Sequence, residues 1–296
     1  MVLVALTMVV LMGFSALTLD VGRLYIKKQW LQDAADAAAL AGVQLLPGDP
    51  QGARTEADRY LELNGFPSPG SGSSGAGAAA VEVNGDTVRV HLTYKVDLYF
   101  ARVLGLVSAE PVAAAQARVG PVGAVHGAVP LGIWWDQFEY GQVYLLKLAS
   151  PADEGDVLRG NFHALALGGK GASVYRDNLR EGYPGVLRVG DVVSTEPGNM
   201  KGPTRQGLLD RLQADPDAVY TAVDSESPRL LFVPVVDGLA AGRDEVEIVG
   251  FAAFFLEGIN EEDEVQGRFL HWLTDGPVLD REVHADYGLR SVRLVQ

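Results

Sequence analysis

The sequence predicts an α+β protein, in which a long N-terminal helix lies on a small antiparallel sheet and a β-rich C-terminal domain follows. Three observations lead to this prediction. Residues 1–19 hold no charged side chain, Asn84-Gly85 lies between two alternating apolar stretches, and short β-type segments separated by Gly and Pro fill residues 121–296. We therefore divide the chain into a helix over residues 1–46, an α+β head over residues 47–120 and a β-rich domain over residues 121–296.

The N-terminal helix is predicted to be unusually long. Residues 1–19 would span about 28 Å as a helix, close to the hydrocarbon thickness of a bilayer. A secretory signal peptide would need a basic segment and a small-residue cleavage site, and neither is visible. Apolar residues at a spacing of three or four continue to Leu46, where Pro47-Gly48 ends the pattern, so the whole helix would measure about 69 Å.

Two interpretations of this helix stay open: a single-pass membrane anchor with a stalk, or an assembly helix that packs against other subunits. Its small residues would allow neighbouring backbones to approach closely. The residues that we predict for an assembly surface are Val4, Leu6, Val9, Leu11, Phe14, Leu17, Asp20, Arg23, Leu24, Leu31, Ala35 and Ala38.

The head is predicted from turn and capping signals. Asp49-Pro50 is typical of a helix start and Asn64-Gly65 of a helix end. The Asn84-Gly85 turn predicts a hairpin of Val81–Val83 with Thr87–Val96, in which alternate side chains of the second strand face the core. Pro111–Val119 is predicted as a third strand.

The β-rich domain is predicted from alternating apolar segments with Gly and Pro between them. We expect a sandwich or a barrel-like arrangement. The predicted strands are Gln142–Leu148, Gly185–Val189, Asp191–Ser194, Leu230–Val236, Val246–Leu256, Gly267–Thr274 and Leu289–Val295. Helices are expected over Gly171–Leu179 and Arg205–Leu212.

Composition limits the function classes. Among 296 residues, 24 are Lys or Arg and 38 are Asp or Glu, and the net charge of −14 argues against nucleic-acid binding. The absence of cysteine excludes disulfides, thiolate metal sites and cysteine nucleophiles. Residues 121–296 hold 15 basic and 27 acidic side chains, so this part is expected to face outward.

Local motifs offer little chemistry. No enzyme motif is found, and we expect no enzymatic activity and no cofactor. The loop with Asn199, Met200 and Lys201 is expected to be a rigid structural loop, with a subunit contact or a ligand-binding loop as the alternatives. The acidic stretch around Glu261 and Asp263 is expected to be a solvated turn, with a calcium site as the weaker alternative.

Two N-terminal motifs carry a resemblance to a known family. The apolar run is followed by D-V-G-R-x-Y over residues 20–25 and by L-Q-D-A-A-D-A-A-A-L over residues 31–40. Together with Tyr99–Gly105, which is similar to an F-A-R-x-L-G element, these segments resemble TadG-like (TadE/G-type) Flp pilus-assembly proteins of the tight-adherence branch. The resemblance covers residues 1–118 and implies a pilin-like helix and head.

The chain departs from type IV pilins at Ala5, where a glutamate that contacts a neighbouring subunit is usual. Asp20 and Arg23 could replace that contact. In Asp224–Pro228, Glu226 and Pro228 stand where a von Willebrand A metal site needs serines, so that site is not carried over.

The resemblance implies a structural subunit of an extracellular filament, whose helix sits in the membrane before it assembles. Its partners would be copies of itself or other pilin-like subunits, the membrane and the pilus-assembly machinery, but no nucleic acid. The alternative is a membrane-anchored assembly or tether protein whose extracytoplasmic domain binds the cell envelope or a surface.

Overall fold

The chain folds as an α+β protein with a long N-terminal helix and a β-rich C-terminal region, as predicted. The computed structural model describes residues 2–66, 77–135, 138–148, 159–196, 200–238 and 245–295. It forms two compact units, Met1–Val119 with Val292–Gln296, and Gly120–Ser291. The three-part division at residues 46 and 120 rests on composition and stays a prediction.

The first helix, α1, runs over Val2–Val43 and would be about 63 Å long. It ends three residues before the predicted Leu46, because the amides of Leu45 and Leu46 bond to carbonyls only three residues back and so tighten the last turn. The part of the chain that the structure describes contains no helix with the length and apolar character needed to cross a membrane.

The second helix, α2, covers Pro50–Leu63 and begins as predicted. The Asp49 carboxylate accepts the Gly52 amide at 2.8 Å, which satisfies one of the free N–H groups of the first turn. Gly65, at a φ of 76°, follows the last turn. The buried residues Ala53 and Ala57 lie against Gly42 of α1, so small residues on both helices permit close packing.

The sheet of the first unit is a hairpin with a third strand beside it. Strands β1 (Gly77–Asn84) and β2 (Thr87–Tyr94) pair antiparallel across Asn84-Gly85, and β5 (Val112–Pro121) pairs antiparallel with β2. Between β2 and β5, the short strands β3 (Val96–Asp97) and β4 (Ser108–Ala109) pair with each other.

The predicted inward face of β2 is confirmed, because Val88, Val90 and Leu92 are fully buried. The strand ends at Tyr94, two residues before the predicted end. The last strand of the chain, Leu289–Val295, lies next to β5 in the order of this sheet. Its final residues are thus part of the first unit.

The second unit is built on a sheet that closes on itself. The paired order is β13-β12-β7-β9-β8-β14, and β14 pairs again with β13. The strands are β7 (Leu131–Ile133), β8 (Val143–Leu148), β9 (Arg159–Ala164), β12 (Leu230–Val236), β13 (Glu245–Ile259) and β14 (Val265–Leu270). A ring of six strands is a barrel, which agrees with one of the two predicted arrangements.

Short strands complete the second unit. Strands β6 (Ala124–His126) and β10 (Val186–Arg188) pair with each other, and β11 (Val192–Ser194) extends the sheet from β13. Strand β15 (Trp272–Leu273) pairs in parallel with Leu289 and Arg290 of the last strand, β16.

Two helices of the second unit pack on each other near the barrel. They are α3 (Ala172–Glu181) and α4 (Lys201–Ala214), and both overlap the predicted helices. The Tyr175 and Thr204 hydroxyls lie 2.9 Å apart and join them. The buried Arg211 guanidinium donates to the Leu179 carbonyl at the end of α3 and to the Pro228 carbonyl. Burial lowers the pKa of Arg211 to about 10, so it stays charged at neutral pH.

Candidate assembly surface

The N-terminal part of α1 exposes apolar side chains over most of its length. Where side chains are described, the large exposed ones are Val4, Met8, Leu11, Phe14, Leu19, Val21, Tyr25 and Ile26, each between 58% and 71% exposed. Apolar surface of this extent commonly marks a contact with another protein or with lipid. We call residues 2–22 of α1, half of its 42 residues, the exposed half.

The hydroxyl groups of the exposed half add little polarity to it. Thr7, Ser15 and Thr18 each donate to a backbone carbonyl three or four residues earlier in the same helix, at 2.8 to 2.9 Å. These bonds satisfy the donors without water or a partner chain. The surface is therefore suited to apolar surroundings.

The structure separates the predicted assembly residues into two groups. Val4, Leu11 and Phe14 are exposed, while Leu17 and Leu24 are half-buried. The side chains of Leu6 and Val9 lie outside the described residues.

The second group consists of Leu31, Ala35 and Ala38, which are fully buried in the first unit. In this fold they contact α2 and the sheet of their own unit rather than a neighbour. The sequence placed these residues on an assembly surface because of their apolar periodicity. A helix face that packs inside its own unit has the same periodicity as a face that packs against a neighbouring subunit.

Asp20 fixes α1 to a loop of the head. Its side chain is 2% exposed and accepts three backbone N–H groups, from Tyr99 at 3.0 Å and from Phe100 and Ala101 at 2.8 Å. These amides lie at the start of a 3-10 helix, Ala101–Leu104, where N–H groups have no partner within the helix. We call this arrangement the Asp20 clamp.

The electrostatics of the clamp favour the ionised carboxylate. Burial acts to raise the pKa of Asp20, but the three backbone hydrogen bonds and the charge of Arg23 outweigh it, so the pKa lies below its ordinary value. The Arg23 guanidinium lies 4.2 Å from the centre of the Tyr99 ring and donates to the Asp97 carbonyl at 3.3 Å.

Asp20 and Arg23 therefore bind their own head. The sequence suggested that they could replace the intersubunit contact that is missing at Ala5, but in this structure both side chains are engaged within the first unit. The fold brings the loop that follows β3 next to Asp20, and three backbone amides of this loop, 79 to 81 residues later in the sequence, donate to the Asp20 carboxylate.

The loop held by the clamp carries a second exposed apolar surface. We call residues 98–107 the tip loop. Val103 is 90% exposed, Leu104 70%, Leu106 56% and Val107 58%, whereas Ala101 beneath them is buried. The loop is nonetheless well hydrogen-bonded, since Leu98 donates to Val107 and Leu106 donates to Ala101.

Sequence reasoning noted the tip-loop motif only as a resemblance and gave it no role. The sequence signal for an exposed apolar loop was present, because four large aliphatic residues lie within five positions, 103–107.

The structure describes two of the three residues predicted for a contact loop near residue 200, and it buries one of them. Met200 is 6% exposed and belongs to the core of the second unit, so it is not available to a partner. Lys201 is exposed and begins α4. Asn199 lies outside the described residues.

The acidic loop is organised by its own hydrogen bonds. The Asn260 side-chain carbonyl accepts the amides of Glu262 and Glu264, and Asp263 forms an ion pair with Arg205 at 2.8 Å. Within the described ranges, no group of three or more His, Asp or Glu side chains could hold a metal ion. Calcium binding near Glu261 and Asp263 stays a hypothesis.

These features define a class of protein: an α+β head on a long helix, half of which presents apolar surface. Residues 1–45 match the model of the family described as "Putative Flp pilus-assembly TadE/G-like", which confirms the resemblance at the N-terminus. The tip loop and the second unit lie outside this match. No curated protein and no solved structure is significantly similar to the chain.

Proposed function

We propose that the chain is a pilin-like subunit of a Tad-related, type IV-class extracellular filament and that it assembles through the exposed half of α1. The family that matches residues 1–45 supports a part in Flp/Tad pilus assembly. The observation that carries the finer proposal is the row of exposed apolar side chains on a helix whose C-terminal part, from Leu31 onward, is already packed in its own unit. Subunits packed side by side through this half would remove that row from water.

The backbone of the exposed half also favours close packing of helices. Apart from the adjoining residues and backbone of the helix itself, no atom of the described residues lies within 4 Å of the position that a Cβ would occupy at Gly13 or Gly22. Each glycine is therefore an open notch where the backbone of a neighbouring helix could approach.

Before assembly, the same half would reside in the membrane. This step rests on the sequence, in which residues 1–19 carry no charge. The acidic second unit would then lie outside the membrane and, in the filament, on its surface. The partners are copies of this chain or other pilin-like subunits together with the pilus-assembly machinery, and the role is one of assembly rather than catalysis.

One observation favours a second candidate, a membrane-anchored assembly or tether protein. The Asp20 carboxylate is bound to three amides of its own head. It is thus not free to fix the register of a neighbouring subunit. In this alternative, the exposed half would stay in the bilayer and the second unit would bind the envelope or a surface.

The test compares two substitutions of equal exposure in cells that produce the chain. Leu11 on α1 is 65% exposed and Leu63 at the end of α2 is 66% exposed. We expect Leu11→Asp to abolish fibres in sheared material and Leu63→Asp to leave them intact, because only the first places a charge on the assembly surface. Electron microscopy counts the fibres, and mass spectrometry identifies this chain in them.

Two results would contradict the filament proposal. Fibres that lack this chain, with the chain retained in the membrane fraction, would favour the tether. Normal fibres from Leu11→Asp would place the assembly surface elsewhere.

A further inference from the structure

We propose that the tip loop is a lipid-contacting element that inserts its aliphatic side chains into the surface of an anionic bilayer. The proposal rests on the membrane step of the proposed function and goes beyond it, because it assigns a separate membrane contact to residues of the head. The first argument is exposure: Val103, Leu104, Leu106 and Val107 are each more than half exposed. Exposing such a cluster to water costs free energy in proportion to its exposed apolar area.

The second argument is position. The Asp20 clamp joins the tip loop to α1 at the first residue after the charge-free run of residues 1–19. If that run lies in the hydrocarbon, Asp20 marks the level at which the helix leaves it. Three hydrogen bonds therefore hold the start of the tip loop at the membrane interface.

The third argument is the composition of the two segments that meet at the clamp. Aromatic and basic side chains are characteristic of the interface between hydrocarbon and headgroups. Tyr99 and Phe100 lie at the start of the tip loop, and Arg23 stacks on the Tyr99 ring. Residues 20–30 and 95–107 together hold five basic and two acidic side chains, although the whole chain has a net charge of −14. A local excess of positive charge favours anionic headgroups.

A second copy of the chain could also cover an apolar loop. The lipid surface is favoured because the tip loop is continuous, through the clamp, with the segment proposed to enter the membrane, and because the positive charge around it is complementary to anionic lipid. Contact with a second copy is an outcome that the experiment can detect.

The experiment uses the full chain, which contains no cysteine, so one introduced cysteine gives a single labelling site. Val103→Cys carries an environment-sensitive fluorophore, and the protein is reconstituted into vesicles of phosphatidylcholine and phosphatidylglycerol. Val112→Cys, a half-exposed position on β5 of the same unit, is the matched control. Leu106→Cys is a second tip-loop site in case the first variant does not fold.

We expect the Val103 probe to be quenched by spin-labelled lipid and protected from aqueous iodide several-fold relative to the Val112 probe. Quenching by iodide at both sites, without lipid quenching at Val103, would overturn the proposal. Protection from both quenchers that grows with protein concentration would overturn it in favour of a second copy. Equal lipid quenching in vesicles without phosphatidylglycerol would overturn the preference of the tip loop for anionic lipid.

A probe at Phe14→Cys in the exposed half separates this proposal from the membrane step on which it rests. Lipid quenching at Phe14 without lipid quenching at Val103 would overturn the tip-loop proposal alone. Absence of lipid quenching at both sites would overturn the membrane step as well.

Discussion

The Asp20 carboxylate contributes to the head through its charge, and this contribution depends on pH. Its pKa in the fold lies below the ordinary value of 3.8, so the carboxylate binds fewer protons than it would in the unfolded chain. The contribution to stability is therefore complete above that value and is lost as the pH falls through the lower, folded pKa. Neutral and mildly acidic conditions leave the clamp intact.

We predict that Asp20→Asn lowers the protection of the Tyr99, Phe100 and Ala101 amides against hydrogen exchange on the order of tenfold at pH 7. Asparagine keeps the shape but offers one acceptor oxygen and no charge to three donors. Hydrogen exchange read by mass spectrometry and corrected for intrinsic rates measures the effect. Wild-type protection of these amides should fall towards the variant's level only below pH 3.8.

Asp33→Asn is the control for this measurement. Asp33 is an exposed acidic residue of the same helix whose side chain bonds to Gln29, one turn away. Its substitution should leave exchange at residues 99–101 unchanged. Unchanged protection in Asp20→Asn would contradict the clamp.

At the scale of elements, the contact of α1 with α2 depends on Gly42. A Cβ at this position would lie 2.6 Å from the Ala53 carbonyl oxygen and 3.1 Å from the Ala57 side chain. A backbone atom of α2 cannot rotate away as a side chain could. Any larger residue would therefore push the two helices apart.

We predict that Gly42→Ala destabilises the first unit by about 1–3 kcal/mol, as expected when a well-packed contact is overfilled. Gly22→Ala is the matched control, since Gly22 lies in the same helix and no described atom beyond the adjoining helix backbone is within 4 Å of the corresponding Cβ. It should be neutral or stabilising by up to about 1 kcal/mol, because alanine favours a helix more than glycine does. Urea denaturation, followed by hydrogen exchange at the amides of α1 and α2, measures both; equal effects of the two substitutions would refute the close packing.

Two factors decide which elements can be predicted from the sequence: the length of the element, and the sequence separation between residues that contact each other. Leu230–Val236 and Leu289–Val295 were predicted at their observed bounds, because a strand of seven residues is long enough to show a pattern. Strand β7 has three residues, Leu131–Ile133, with a glycine in the middle, and gives no periodic signal. Strand β9, Arg159–Ala164, mixes polar and apolar residues without alternation.

The candidate site was predicted only in part. The charge-free run indicated an apolar helix surface, but the partners of Asp20 lie about 80 residues further along the chain. Nothing in a single sequence reports such a distant contact. The internal role of Leu31, Ala35 and Ala38 was hidden for a related reason: an apolar stripe does not say which surface covers it.

For the whole molecule, the net charge of −14 predicts how assembled particles behave towards each other. Like-charged surfaces repel, and the repulsion disappears as the pH approaches the isoelectric point of about 4.7. We predict that sheared fibres are dispersed at pH 7 and form bundles near pH 4.7. Light scattering and electron microscopy measure this, and a return to pH 7 should disperse the bundles again.

Added salt at pH 7 is a second test of this prediction. Salt should also promote bundling, because screening weakens the repulsion between exposed charges. The Asp20 clamp is not expected to open at pH 4.7, since its pKa lies below 3.8. Bundling at pH 4.7 with unchanged protection of residues 99–101 would therefore report surface charge alone. Fibres that stay dispersed at their isoelectric point would contradict the prediction.

The path of the last strand has a consequence for the order in which the chain can fold during synthesis. Residues 289–291 belong to the second unit and residues 292–295 to the first, so the second unit is an insertion within the first. As the polypeptide emerges from the ribosome, α1, α2 and the first hairpin appear early, yet the sheet beside β5 stays incomplete until the whole barrel has been synthesised. The edge of β5 therefore stays unpaired until a segment about 170 residues later in the chain has been synthesised. A chain whose synthesis stalls within the barrel would leave this strand edge free to pair with another chain.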